Sequence, residues 1–231
     1  MSWTDKQAVV VIKYLRDKYK VKTLVETGTF KGINAELHAK NFEYVFTCEK
    51  IKEYFLAATQ RLRGYTNVYL CNKDSKLFLK QFNEMEEPVI FYLDAHFYDA
   101  KLPKSKRFAV LDELKSIKGR KDSIIVIHDF DNNLGHITYD GQPLNLELIS
   151  KELFAVNPMF YLYTNELSSC NPVSLNYKDI LDSGLNLDEE TVDNINYAWT
   201  EPRLTYRGIL YCLPTKLSNK EMKSLGLKQC N

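Results

Sequence analysis

Short apolar runs alternate with longer amphipathic segments through about the first two-thirds of the 231-residue chain. Apolar residues at spacings of three and four predict helices, as at Ala8, Val11, Ile12 and Leu15. Between the helical segments lie runs that are rich in β-branched and aromatic residues, and these runs predict strands. The expected strands are at 23–26, 44–49, 67–70, 89–93, 124–127, 159–164 and 209–213.

The runs at 89–93 and 124–127 are almost entirely apolar, which is typical of central strands in a parallel sheet that helices cover on both sides. The alternation therefore predicts an α/β fold with a doubly wound, Rossmann-like sheet and helices on both faces. Right-handed crossovers bring the carboxyl ends of such strands to one edge of the sheet, where ligands bind. Residues 1–231 are expected to form one domain, with an irregular insertion at about 166–206.

Composition and charge narrow the function classes. Hydrophobic residues make up 45% of the chain, charged residues make up 26%, and the formal net charge is +1. This balance does not favour nucleic acid as a partner, and no apolar run is long enough to span a membrane. Five cysteines without a C-x-x-C pair, and no signal segment near Met1, favour reduced thiols and a cytoplasmic location. The oligomeric state stays open, with a homodimer among the alternatives.

The segment Glu26-Thr27-Gly28-Thr29-Phe30-Lys31-Gly32 joins the first predicted strand to a helix. Its glycines allow a tight turn and the close approach of a ligand to the backbone. A carboxylate at the strand end would repel a pyrophosphate but attract a cationic group. The G-x-x-x-G spacing therefore favours S-adenosylmethionine over a dinucleotide. The alternative is a glycine turn with only a structural role.

Glu49 ends the second predicted strand, 23 residues after Glu26. A carboxylate at about this distance binds ribose hydroxyls in nucleotide-binding folds. The alternative is a carboxylate that stabilises the amino terminus of the next helix.

Residues 23–129 resemble the class I S-adenosylmethionine-dependent methyltransferases, whose first motif is an acidic residue, any residue, Gly, three residues and Gly. The resemblance implies a seven-stranded, mostly parallel sheet with the last strand antiparallel. It also implies that Asp74 and Ser75, after the third strand, reach the adenine, although Asp74 is equally a candidate helix N-cap. The expected cofactor-binding residues are Glu26, Gly28, Thr29, Gly32, Glu49, Asp74, Ser75 and Asp94.

Acidic and imidazole side chains end the two central strands. Asp94 and His96 follow the fourth strand, and His128 and Asp129 follow the fifth. A charge buried at this edge would be unfavourable unless it were paired or bound to a metal. Carboxylates suit Mg²⁺ or Mn²⁺, whereas a histidine could take the proton of an acceptor hydroxyl.

The chain contains Leu93-Asp94-Ala95-His96, then Glu113-Leu114, then Ile127-His128-Asp129. This pattern is similar to that of metal-dependent O-methyltransferases of macrolide and sugar tailoring and of cephalosporin-hydroxylase-like proteins. The resemblance implies that Asp94 and Asp129 are metal ligands, and Asp94, His96 and His128 are the candidate catalytic residues. His128 stands where several relatives have an acidic residue. The expected activity is O-methylation of a small-molecule or glycan hydroxyl, helped by Mg²⁺ or Mn²⁺. The alternatives are a cofactor-binding module without turnover and a nicotinamide-dependent oxidoreductase.

Other polar residues have simpler interpretations. Glu113 is expected to orient the preceding region or to lie on a solvated helix face, His38 to lie on a helix surface, and His136 to lie in a loop. The loop at 131–145 is either a lid, with Tyr139 over the acceptor, or a passive connection.

Overall fold

The computed structural model describes residues 6–95, 108–117, 119–134, 143–166 and 208–230. The helices in these ranges are α1 (Lys6–Tyr19), α2 (Ile33–Ala39), α3 (Lys52–Leu62), α4 (Ser75–Leu79), α5 (Ala109–Ser116), α6 (Leu146–Val156) and α7 (Asn219–Leu225), with a 3₁₀ turn at Lys80–Phe82. The strands are β1 (Thr23–Thr27), β2 (Tyr44–Glu49), β3 (Val68–Asn72), β4 (Val89–Leu93), β5 (Ile124–Ile127), β6 (Tyr161–Asn165), β7 (Leu210–Leu213) and β8 (Leu227–Gln229).

The described strands form one sheet in the order β3-β2-β1-β4-β5-β7-β6-β8. Strands β1 to β5 are parallel to one another, whereas β7 is antiparallel to both β5 and β6, and β8 is antiparallel to β6. The predicted doubly wound α/β fold is confirmed. The sheet gains β8 beyond the seven expected strands, because a three-residue strand is too short to show an alternating apolar pattern.

Alternate side chains of the central strands enter two separate cores. Phe91 of β4 packs on one face, with residues of α4, α5 and α6. Its neighbour Tyr92 packs on the other face, with residues of α1, α2, α3 and α7. Helices therefore cover both faces of the sheet, and the apolar runs of β4 and β5 are buried on both sides.

The predicted strand bounds agree with the structure for β2, β4 and β5 and differ by up to two residues at the ends of the others. His96, His136, Tyr139 and the insertion beyond residue 166 lie outside the described residues. Among the described helices, none combines the length and the apolar character needed to span a membrane.

Candidate functional site

The connection from β1 to α2 contains three residues in the left-handed conformation. These are Gly28 (φ 79°), Phe30 (φ 52°) and Gly32 (φ 84°). A bulky side chain is unfavourable at positive φ, so the surroundings must stabilise the backbone at Phe30. Oε2 of Glu49 accepts a hydrogen bond from the Phe30 N–H at 2.8 Å. The end of β2 therefore holds the loop after β1 in its strained shape.

Glu49 also contacts the helix that follows it. Its Oε1 accepts a hydrogen bond from the Ile51 N–H at 2.8 Å, just before α3 begins. The helix-stabilising interpretation of this carboxylate is thus observed. Each oxygen accepts one of these backbone bonds, and a carboxylate oxygen can accept a second. Glu49 can therefore stabilise α3 and bind a ribose at the same time.

The two glycines of the loop lie against other parts of the protein. A β-carbon on Gly28 would lie 2.6 Å from the carbonyl oxygen of Asp94 and 2.9 Å from Cα of Ala95. A β-carbon on Gly32 would lie 3.1 Å from Cδ1 of Leu62 in α3. Backbone packing therefore requires glycine at position 28, whatever ligand binds to the loop, whereas at position 32 it is the positive φ that favours glycine.

Glu26 is buried at the end of β1 and supports the loop from inside. Asn34 Nδ2 donates to its Oε1 at 2.6 Å, and the Thr47 hydroxyl donates to its Oε2. Burial raises the pKa of Glu26 to about 7, although both hydrogen bonds lower it, and the carboxylates of Asp94 and Glu49 add to the rise. A positively charged ligand nearby would favour the ionised form of this carboxyl.

The remaining predicted cofactor residues lie on neighbouring connections. Thr29 is buried, and its hydroxyl hydrogen-bonds with that of Thr47. Asp74 is the N-cap of α4, where its Oδ1 accepts from the Lys76 N–H at 3.2 Å and its Oδ2 lies 3.4 Å from Lys50 Nζ. Ser75 is the first residue of α4. The sheet topology thus brings these residues to the same edge as the β1 loop.

The ends of β4 and β5 bring together Asp94, His128 and Asp129. His128 Nδ1 lies 3.0 Å from Asp94 Oδ1 and 3.1 Å from Asp129 Oδ1. One potential ligand atom from each residue lies within 4.8 Å of the other two, a spacing that a shared metal ion could occupy. All three residues are buried. His96, the fourth predicted member, lies outside the described residues.

The charges of Asp94 and His128 act on each other. Burial raises the pKa of Asp94 and the neighbouring His128 imidazole lowers it, with a net shift below the usual value. Asp129 has a left-handed backbone (φ 56°), a conformation that Asp tolerates better than most residues. Strained backbone of this kind is concentrated at functional sites. The imidazole therefore lies where a cation would contact both carboxylates.

Buried carboxyl groups are concentrated at this edge of the sheet. Among the described residues, Arg120 is the one buried lysine or arginine. Its guanidinium donates to the Glu87 carbonyl and the Ser123 hydroxyl, which precede β4 and β5 at the opposite edge. A cationic ligand would favour the ionised forms of these carboxyl groups. The buried carboxyl groups at or near the edge are those of Glu26, Glu49, Asp94, Glu113 and Asp129.

The structure excludes one of two alternatives for Glu113 and contradicts the expectation for His38. Glu113 on α5 is 0% exposed, which excludes the solvated helix face and leaves the alternative that it orients the preceding region. A signal was present, since position 113 follows Val110 by three residues and precedes Ile117 by four, which puts it in the apolar stripe. His38 on α2 is 1% exposed rather than on the surface. Its ring centroid lies 5.8 Å from that of Phe42.

Comparison with known proteins identifies the fold. No protein-family model and no curated protein sequence matches this chain. The methyltransferase domain of bacterial CtHen1-CN has a similar structure, with a TM-score of 0.53, 10% sequence identity, and coverage of 90% of this chain and 98% of that one. The plantazolicin methyltransferase BamL, solved with a triazolic desmethylPZN analog and SAH, has a TM-score of 0.50, 11% identity, and coverage of 92% and 86%. The chain therefore has the fold of the class I S-adenosylmethionine-dependent methyltransferases.

Proposed function

We propose that this chain, which has the class I methyltransferase fold, transfers the methyl group of S-adenosylmethionine to a hydroxyl of a small molecule or glycan. The observation that carries the proposal is the group of buried carboxyls at the ligand-binding edge of the sheet, without a described lysine or arginine buried among them. A sulfonium and an ammonium group are attracted to such an edge, whereas a pyrophosphate is repelled. The charge of the site thus favours this cofactor over a dinucleotide.

Residues of three connections have roles in binding the cofactor. Glu49 accepts hydrogen bonds from the ribose hydroxyls through the lone pairs that its backbone contacts leave. Glu26 stabilises the shape of the β1 loop, and Asp74 and Ser75 face the adenine. When bound, S-adenosylmethionine supplies an electrophilic methyl group, and its transfer leaves a neutral thioether.

We assign the removal of the acceptor proton to Asp94 and His128. Transfer forms a bond between the acceptor oxygen and the methyl carbon, breaks the carbon–sulfur bond and releases the hydroxyl proton. His128 Nδ1 accepts this proton, and Asp94 Oδ1, 3.0 Å away, stabilises the imidazolium that forms. His96 is a further candidate for the same task.

The donor set also fits a divalent cation. Asp94 and Asp129 offer hard oxygen atoms, which Mg²⁺ and Mn²⁺ favour, and the His128 nitrogen is accepted by Mn²⁺. A cation held there would lower the pKa of an acceptor hydroxyl.

A cavity beside the segment that follows β5 offers a place for the acceptor. It has a volume of about 410 Å³ and is lined by residues that follow β5, together with residues of α6 and β8. Asp131 and Asn132, two and three residues after Asp129, lie on its wall, as does Lys228. Its lining is polar enough to bind a hydroxylated small molecule or sugar.

Calorimetry tests the cofactor assignment. We expect the wild-type protein to bind S-adenosylmethionine and S-adenosylhomocysteine with micromolar-range dissociation constants, and Glu49→Ala to weaken binding by roughly tenfold to a hundredfold through lost ribose hydrogen bonds. The control is Lys52→Ala, which changes the first residue of α3, three residues after Glu49. Binding of NAD in place of either ligand would overturn the assignment.

The complete burial of His128 favours one alternative, a methyltransferase-like module that binds the cofactor without turnover. Mass spectrometry separates the two functions. Methyl transfer to a panel of hydroxyl acceptors, with an RNA oligonucleotide included, supports the enzyme. Cofactor binding without methylation of any acceptor in the panel supports the module, and methylation of the RNA alone would replace the proposed acceptor class.

A further inference from the structure

Glu113 is a buried acid at this edge for which the proposed function provides no role. Its carboxyl extends from α5 and is fully buried. Among the described residues, neither oxygen has a partner that meets strict hydrogen-bond geometry. A buried polar group in this state costs free energy, so its presence requires a reason other than stability.

The surroundings of Glu113 indicate what that reason is. The hydroxyls of Thr27, at the end of β1, and Ser75, at the start of α4, act on its carboxyl, and both lower its pKa. Thr27 Oγ1 in turn accepts the Asp94 N–H at 3.2 Å, which leaves the Thr27 hydroxyl hydrogen to point elsewhere. A chain of polar groups thus runs from the start of the β4 connection, through Thr27, to Glu113.

Two acidic residues lie near Glu113. Asp94 after β4 and Asp74 before α4 both raise its pKa, and burial, the largest cause, raises it to about 7. Besides burial, the charge of Glu113 also helps to raise the pKa of the Cys48 thiol of β2. No ion pair with a described residue explains why α5 carries a carboxyl at this position.

We propose that Glu113 is a positioning residue of the cofactor pocket, which orients the hydroxyls of Thr27 and Ser75 and so fixes three connections relative to one another. The connections are those after β1, β3 and β4, and together they carry Gly28, Asp74, Ser75 and Asp94. This inference rests on the proposed function, because it concerns the same pocket. It assigns to α5 a role in cofactor binding that does not require Glu113 to contact the cofactor.

Glu113→Gln tests the inference, because it keeps the shape of the side chain but replaces one acceptor oxygen with a donor. We expect the dissociation constant for S-adenosylhomocysteine, measured by calorimetry, to rise about tenfold. The melting temperature without ligand should stay the same or rise, because a buried charge has been removed. Asp112→Asn, the preceding residue on α5 and a half-exposed partner of Lys115, should change neither quantity.

Thr27→Val and Ser75→Ala identify the path of the effect. Thr27→Val should weaken binding of S-adenosylhomocysteine in the wild-type background and add little in the Glu113→Gln background, because residues that act as one network are not additive. Ser75→Ala should be additive only in part, since Ser75 also faces the adenine. If Glu113→Gln does not fold, the double variant Thr27→Val/Ser75→Ala serves instead, and we expect its loss of affinity to be smaller than the sum of the two single losses.

Three results would overturn the inference. They are wild-type affinity in Glu113→Gln, a melting temperature that falls in parallel with affinity, and full additivity of the variants. A wild-type protein that binds neither S-adenosylmethionine nor S-adenosylhomocysteine would overturn the proposed function, and this inference with it.

Discussion

His38 is a residue whose chemistry is set by burial alone. Burial lowers its pKa from 6.5 to about 4, and no described residue accepts from or donates to its Nε2. The unfolded chain therefore takes up a proton on this residue below about pH 6.5, whereas the folded chain does so only near pH 4. The contribution of His38 to stability is complete above pH 6.5 and is lost as the pH falls towards 4, by up to about 3 kcal/mol.

Replacing His38 with Phe should remove this pH dependence, and the rings of Phe42 and Tyr92 next to it favour an aromatic substitute. We expect the stability of the wild type, relative to His38→Phe, to fall between pH 6.5 and 4.5. Urea unfolding of both proteins across this range measures the difference. Glu26 and Glu113 titrate in the opposite sense in both proteins, so they cancel. Parallel stability curves would contradict the assignment.

The need for a metal ion also depends on single residues. If Asp94 and Asp129 share a divalent ion, excess chelator should abolish methyl transfer, and Mg²⁺ or Mn²⁺ should restore it. Asp129→Asn should then lose activity without loss of cofactor affinity. Full activity in excess chelator would instead leave His96 or His128 as the general base without a metal.

The sequence predicted the surroundings of some polar residues correctly and those of others wrongly. Asp94, His128 and Asp129 could be placed together because each follows an apolar strand that ends at the same edge. Glu113 could have been placed from the apolar stripe of α5, whereas His38 could not, because helical periodicity does not show how much of a helix is covered. Almost every residue of α2 is buried, for example, so that even a polar position on it is enclosed.

At the scale of elements, the β1 loop shows a glycine requirement that comes from neighbouring backbone. Gly28→Ala would place a β-carbon 2.6 Å from the Asp94 carbonyl oxygen, in addition to the strain of a positive φ. Gly119 provides a matched control, since its φ is also positive (66°) and a β-carbon there would meet nothing within 4 Å.

We expect Gly119→Ala to lose only the 1–2 kcal/mol, roughly, of left-handed strain, and Gly28→Ala to lose clearly more. Thermal unfolding of the two variants without ligand measures the difference. The sequence alone suggested that a larger residue at Gly28 would act by blocking a ligand. If Gly28→Ala and Gly119→Ala melt at the same temperature, that explanation would replace the collision with Asp94.

Element bounds were predictable where the pattern was strong. Strands β2, β4 and β5 were predicted with the bounds that the structure shows, because each is a run of apolar or β-branched residues between polar ones. Helix α7 was missed although its start carries a capping box from Ser218 to Glu221 and its end carries Gly226 in a left-handed conformation. The helix has seven residues, too few for an apolar stripe to stand out.

At the scale of the whole molecule, the two ends of the described chain are joined. Glu221 of α7 accepts hydrogen bonds from Tyr14 and Lys18 of α1, and Gln7 Nε2 donates to the Leu225 carbonyl at 3.0 Å. The contact with Glu221 raises the pKa of Tyr14 to about 12. No periodicity could have predicted this contact, because it joins residues more than 200 positions apart.

The sheet order has a consequence for the synthesis of this protein. Strand β7 inserts between β5 and β6 although it follows both in the chain, so β5 keeps an unpaired side until residues 210–213 have been made. At ordinary translation speeds the ribosome needs roughly ten seconds to go from the end of β5 to that point. A sheet that forms before β7 emerges has an unpaired edge at Ile124–Ile127, to which chaperones and other nascent chains can bind. The yield of folded protein therefore depends on whether β7 is made before the unpaired edge aggregates. Slow codons between β5 and β7 would lower this yield.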